Sequence, residues 1–155
     1  MFKRLSSALL TAIALGSPVT ANELEDYIYS NPVLAEVNRS GTTIRFKDPS
    51  CNQGIFGSYT TTTDVMVLCL ANHPDYAELG DTIRHETVHI IQMCNGGPVM
   101  SFETVAKYAQ PSDYKAMHGY GTHSHHHEIE ANMAARNMTD LEVVSSFKNA
   151  CYKDD

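Results

Sequence analysis

The chain has 155 residues and carries 18 acidic against 11 basic side chains, a formal net charge of −7 with histidine neutral. A surface of that sign disfavours nucleic acid and anionic membranes as partners, since both repel it. The length allows one domain with a modest core.

Met1–Ala21 opens with Lys3 and Arg4, continues as an apolar stretch through about Leu15, and closes on Pro18 and the small-residue ending Val19-Thr20-Ala21. That order reads as a secretory signal peptide. Its apolar run is too short to span a bilayer and nothing later is a better candidate, so no integral membrane segment is expected in the mature chain. Residues 1–21 are thus assigned to a leader and 22–155 to one domain that is secreted or periplasmic.

Within the domain, residues 22–39 predict a helix containing Leu24, Ile28 and Tyr29 that breaks near Asn31-Pro32 and resumes through Leu34 and Val37. Three β-branched and aromatic runs follow, at 42–46, 55–59 and 65–70, and predict a small, mostly antiparallel sheet. A helical pattern from about Asp81 to Cys94 is stopped by Gly96-Gly97-Pro98. Short helices at 101–108 and 112–118 are divided by Gln110-Pro111. Residues 128–136 form a helix by propensity, and their alanines suit close packing against the 81–94 helix. Thr139 and Glu142 have the spacing of a capping box that starts a last helix reaching about Ala150. No repeat or linker interrupts this order, so the expected architecture is a single α+β domain with a sheet edge beside the 81–94 helix.

All four cysteines lie beyond the leader, and an even count in an oxidising compartment predicts two disulfides. Of the three possible connectivities, Cys51 with Cys69 would close a strand-turn-strand unit. Cys94 with Cys151 would tie the end of one helix to the C-terminal helix. The absence of C-x-x-C argues against a zinc finger.

His85-Glu86-Thr87-Val88-His89 spells H-E-x-x-H. On a helix His85 and His89 are one turn apart on one face, where two imidazoles can grip one Zn²⁺ while Glu86 points at a water on the metal's open side. A hydrolytic zinc usually keeps three protein ligands. The metzincin pattern would need Gly at 92 and His at 95, where the residues are Gln92 and Asn95, so the third ligand lies further on.

Glu128 and Asn132 share one face of the 128–136 helix. With H-E-x-x-H they make residues 65–138 resemble the gluzincin branch of zinc metallopeptidases, where a glutamate on a second helix is the third ligand. In that family a residue four further on, usually Asp, supports the histidines; here it is Asn132. Glu128, Ala131 and Asn132 are also similar to the E-x-x-A-D element of the CAAX prenyl protease type, whose members carry transmembrane helices. The resemblance implies a zincin-like fold with His85, His89 and Glu128 as ligands. Glu130 competes with Glu128, and the two cannot both face one metal from a straight helix. The cluster His123, His125, His126 and His127 offers other ligands, although a run of exposed loop histidines suits metal scavenging better than one defined site. Related peptidases stabilise the oxyanion with a Tyr or His, a role Tyr120 or His118 in His118-Gly119-Tyr120-Gly121 could fill.

The expected function is therefore exported zinc-dependent hydrolysis of peptide bonds in a peptide or protein substrate, with Glu86 as general base. Two rivals are a non-catalytic His-rich metal binder and an inactive fold kept as an interaction module.

Overall fold

A computed structural model describes residues 21–115 and 124–152. Helix α1 (Ala21–Ser30) and helix α2 (Pro32–Arg39) are separated by Asn31, whose side chain caps α2 by accepting from the N–H groups of Val33 and Leu34, both at 3.0 Å. The proline at the first position of α2 needs no N–H partner, so the break falls where the Asn-Pro pair predicts.

Strands β1 (Thr43–Arg45), β2 (Gly57–Thr60) and β3 (Val65–Leu68) form a sheet of order β1-β3-β2. The β2–β3 hairpin is antiparallel, but β1 runs parallel to β3, so the sheet is mixed rather than mostly antiparallel. Asp64 explains the arrangement. It sits at the end of the hairpin turn with φ of 50°, a conformation that aspartate tolerates better than most residues. Its carboxylate accepts from Thr42 Oγ1 and Tyr59 Oη, both at 2.9 Å, while its carbonyl accepts from the Thr43 N–H at 3.0 Å. These bonds seat the start of β1 beside the start of β3 and leave β2 as the other edge. The expected Cys51–Cys69 bridge is formed, joining a 3-10 turn at Pro49–Gln53 to the end of β3.

Helix α3 (Tyr76–Asn95) carries H-E-x-x-H and starts earlier than the sequence pattern predicts. Asp75 caps it, accepting from the Glu78 N–H at 2.9 Å. Gly80 is a poor helix former, which hides this first turn from propensity. Its missing side chain has a structural use, because a Cβ there would lie 2.9 Å from Tyr27 Oη. The helix ends at Gly96 (φ 77°) in a Schellman arrangement, with Gly97 N–H donating to Gln92 O at 2.8 Å and Gly96 N–H to Met93 O at 3.2 Å.

Helices α4 (Phe102–Tyr108) and α5 (Pro111–Lys115) lead towards α6 (His125–Asn137), and α7 (Asp140–Cys151) is the last helix among the described residues. Ala131 and Ala134 let α6 approach Val88 of α3 closely, as their size predicts. The main core joins Val33, Leu34 and Val37 of α2 to the buried face of α3, to Met66 and Leu68 of β3, and to Val143 and Phe147 of α7. The predicted capping box at Thr139 and Glu142 is formed, as is the Cys94–Cys151 bridge between α3 and α7. No helix among the described residues is long and apolar enough to cross a membrane.

Candidate metal centre

His85 and His89 lie on the face of α3 that meets α6 and the edge strand β2. Their Nε2 atoms are 3.1 Å apart, and each is 3.5 Å from a different oxygen of Glu128, which α6 brings across from its first turn. Among the described residues this trio is the group of His, Cys, Asp and Glu side chains that could hold a metal ion, with all three ligand atoms within 4.8 Å of one another.

Gln92 orients His89. Its amide nitrogen donates to Glu130 Oε2 at 2.9 Å and to His127 O at 3.0 Å, so its oxygen faces His89 Nδ1 at 2.9 Å and must be the acceptor. In neutral His89 the proton therefore sits on Nδ1, and the Nε2 lone pair is turned toward His85 and Glu128. At the level of sequence Gln92 served only to exclude the metzincin pattern. Its position one turn after His89 on a buried face was the signal for this supporting role. Asn132, expected to support the histidines, lines a neighbouring cavity together with His85 and Arg136.

Glu130, the competing ligand, is 1% exposed and points away from the trio. Besides Gln92, its carboxylate accepts from the N–H groups of Val99 (2.9 Å) and Met100 (2.7 Å), clamping the chain after α3 onto α6. A solvated helix-face carboxylate, the ordinary fate of such a residue, is not what the fold makes of it. His125, His126 and His127 also depart from expectation: they form the first turn of α6 rather than a loop. The His126 ring contacts Met100 O at 3.0 Å and stacks edge-on against Phe102, while His127 lines the cleft. His118, Tyr120 and His123 lie outside the described residues.

Glu86 is 6% exposed and sits beneath the trio. Burial pushes its carboxyl above the ordinary glutamate range, and the charge of Glu128 adds to that rise. His85, His89 and a hydrogen bond from the Tyr59 backbone N–H act the other way without cancelling it. Burial also works to raise Glu128, but His85 and His89, when protonated, donate to it through Nε2–H, and those hydrogen bonds and charges outweigh burial and hold the group down at about 2. Two carboxyl groups side by side are thus driven apart, one suited to taking up a proton and one to staying anionic. Strand β2 reaches Glu86 so closely only because residue 57 is glycine. A Cβ there would lie 2.7 Å from Thr82 Cγ2 and 3.2 Å from Glu86 Cγ.

A cavity of about 530 Å³ opens over the trio, bounded by Gly57–Tyr59 of β2, by Gln92 and Met93, and by Gly96-Gly97. A second, of about 500 Å³, shares Gly57, His85 and Glu86 with the first and extends toward Glu78, Asp81 and Asp113. No curated protein and no solved structure matches the chain. A family model described as Domain of unknown function (DUF8637) matches residues 26–152, which include every residue of this centre, and the chain belongs to that family.

Proposed function

We propose that the protein is an exported zinc-dependent peptidase of the gluzincin type, with His85, His89 and Glu128 as ligands and Glu86 as general base. The observation that carries this reading is the convergence of three electron-pair donors on one point beside a buried glutamate. Ligand atoms about 2.05 Å from a tetrahedral zinc stand about 3.3 Å apart. The two Nε2 atoms, 3.1 Å apart, are close to that figure, and each lies 3.5 Å from the Glu128 carboxylate, through a different oxygen. The mixed sheet with its edge strand against the H-E-x-x-H helix, and the glutamate-bearing helix opposite, suit a zincin-like fold.

Zinc held there would polarise the scissile carbonyl and lower the pKa of a water toward about 7. Glu86 takes a proton from the attacking water as its oxygen bonds to the carbonyl carbon, then returns that proton to the amine nitrogen as the C–N bond breaks. The Gln92–His89 bond holds the imidazole in the ligating tautomer. Tyr120 is proposed to stabilise the oxyanion. A non-catalytic metal binder built on the histidine run draws less support, since that run begins a helix and His126 is engaged with Met100.

The test is metal analysis of the purified protein and its Glu86→Gln variant beside hydrolysis of an unfolded protein substrate. One zinc per chain is expected in both, with turnover reduced about 10²–10⁴-fold in the variant. Undiminished turnover in Glu86→Gln, or full zinc occupancy in His85→Ala and His89→Ala, overturns the reading.

A further inference from the structure

We infer that the protein cuts polypeptides internally rather than trimming them from an end, an inference that rests on the peptidase reading above. The two cavities share Gly57, His85 and Glu86 as lining, and together they offer a groove that extends from the centre in both directions along α3. The groove runs from Glu78 to the Gly96 end of that helix, roughly 27 Å at about 1.5 Å per residue. An extended chain rises about 3.4 Å per residue, so the groove accommodates roughly eight residues, about four on each side of the scissile bond.

An enzyme that removes terminal residues needs a fixed charge within about one residue of the bond, because a desolvated α-amine or α-carboxylate must be paired. Outside the centre itself, the first cavity is lined among the described residues by uncharged groups and by His127. Among the described residues the second holds four charged side chains besides Glu86, and none of the four is placed for that task. Arg136, the natural partner for a carboxylate, has both terminal nitrogens taken by Asp113, which is itself 3% exposed. Asp81 is paired with Arg84. Glu78 lies two turns of α3, roughly 10 Å, before His85. That distance corresponds to about three extended residues, so Glu78 meets a side chain well inside the substrate and cannot hold the amine at the bond being cut.

Strand β2 supplies main-chain contacts of the matching kind. Cys69 N–H donates to Phe56 O at 2.8 Å, so by alternation the polar groups of Ser58 face β3 while those of Gly57 and the Tyr59 carbonyl face away from it toward the groove, the Tyr59 N–H being taken by Glu86. Such contacts suit the interior of an extended chain and do not distinguish its ends.

The test uses the zinc-loaded mature protein and a mixture of ten-residue peptides in two forms, one acetylated and amidated, the other with free ends. Products are identified by mass spectrometry. Both forms are expected to be cut at interior bonds with kcat/KM within about threefold of each other, and shortening either side to one residue should lower it at least tenfold. In a parallel binding measurement, the Glu86→Gln protein should hold the blocked decapeptide at least tenfold more tightly than a blocked tripeptide. Cleavage confined to free-ended peptides, one residue at a time, overturns this inference and leaves the peptidase reading standing. Turnover of neither form with zinc in place removes both.

Discussion

Glu128 and Glu130 stand two residues apart on one helix, and their surroundings are opposite in kind. Glu130 is enclosed by N–H donors, from Gln92, Val99 and Met100, so every partner it has comes from the protein. Glu128 faces two imidazoles, one of which, His89, is held in a tautomer that presents a lone pair. A carboxylate surrounded by donors is a structural element, whereas one grouped with other electron-pair donors needs a cation to complete it. Burial alone does not separate these cases, since Glu130 is the more buried of the two.

The largest effect expected from testing this contrast is on stability, at Glu130. Glu130→Ala leaves three donors without their acceptor, which costs about 3 kcal/mol when partial solvation is allowed for. Thermal unfolding of the metal-free variant should show Tm lowered by roughly 10 °C. An unchanged Tm would break the comparison.

The next effect is on metal binding, at Glu128. Changes to residues that merely support a ligand cost about 10–100-fold in affinity, so Glu128→Gln is expected to lose more than about 100-fold for zinc. Competition with a chromogenic chelator measures this directly. If Glu130→Ala loses more zinc affinity than Glu128→Gln, the ligand assignment is reversed.

The smallest effect sharpens the contrast by adding Glu142, which accepts from Thr139 N–H (2.7 Å) and Oγ1 (2.9 Å) much as Glu130 accepts from its donors, but in the open. Those hydrogen bonds hold its carboxyl below the ordinary range. A depressed folded pKa means that its contribution is complete above the unfolded value, about 4.3, and is lost as pH falls through the folded one. Glu142→Gln should therefore lower Tm slightly and constantly between about pH 5 and 8, with the difference vanishing in acid. A deficit as large as that of Glu130→Ala would show that exposure does not govern the worth of such a carboxylate.

Much of the framework was legible because it depends on neighbours in sequence. The Asn31-Pro32 break, the Thr139–Glu142 capping box and the Gly96 stop are each set within a few residues. The small alanines of α6 and the Cys51–Cys69 and Cys94–Cys151 pairs were also anticipated. The mixed sheet was not, because the pairing of β1 with β3 depends on Asp64 reaching Thr42 across 22 positions. Nor was the early start of α3, where Gly80 lowers helix propensity for the benefit of Tyr27. The histidines at 125–127 were assigned to a loop on composition, and packing against Met100 and Phe102 makes them helical.

Sequence by itself determined the two histidines and the glutamate of α3, because a helical turn brings positions 85 and 89 together whatever surrounds them. It also narrowed the candidate third ligand on the second helix to Glu128 or Glu130 but not both, because the same period forbids the two from sharing a metal. Only the tertiary structure set which of them stands beside His85 and His89. The choice depends on how α6 is rotated against α3, and that rotation follows from where Ala131 and Ala134 pack and where Glu130 finds its donors. The tautomer of neutral His89, the opposite pKa shifts of Glu86 and Glu128 and the two adjoining cavities were likewise tertiary outcomes. Each depends on distances between residues far apart in the chain, which local pattern does not encode.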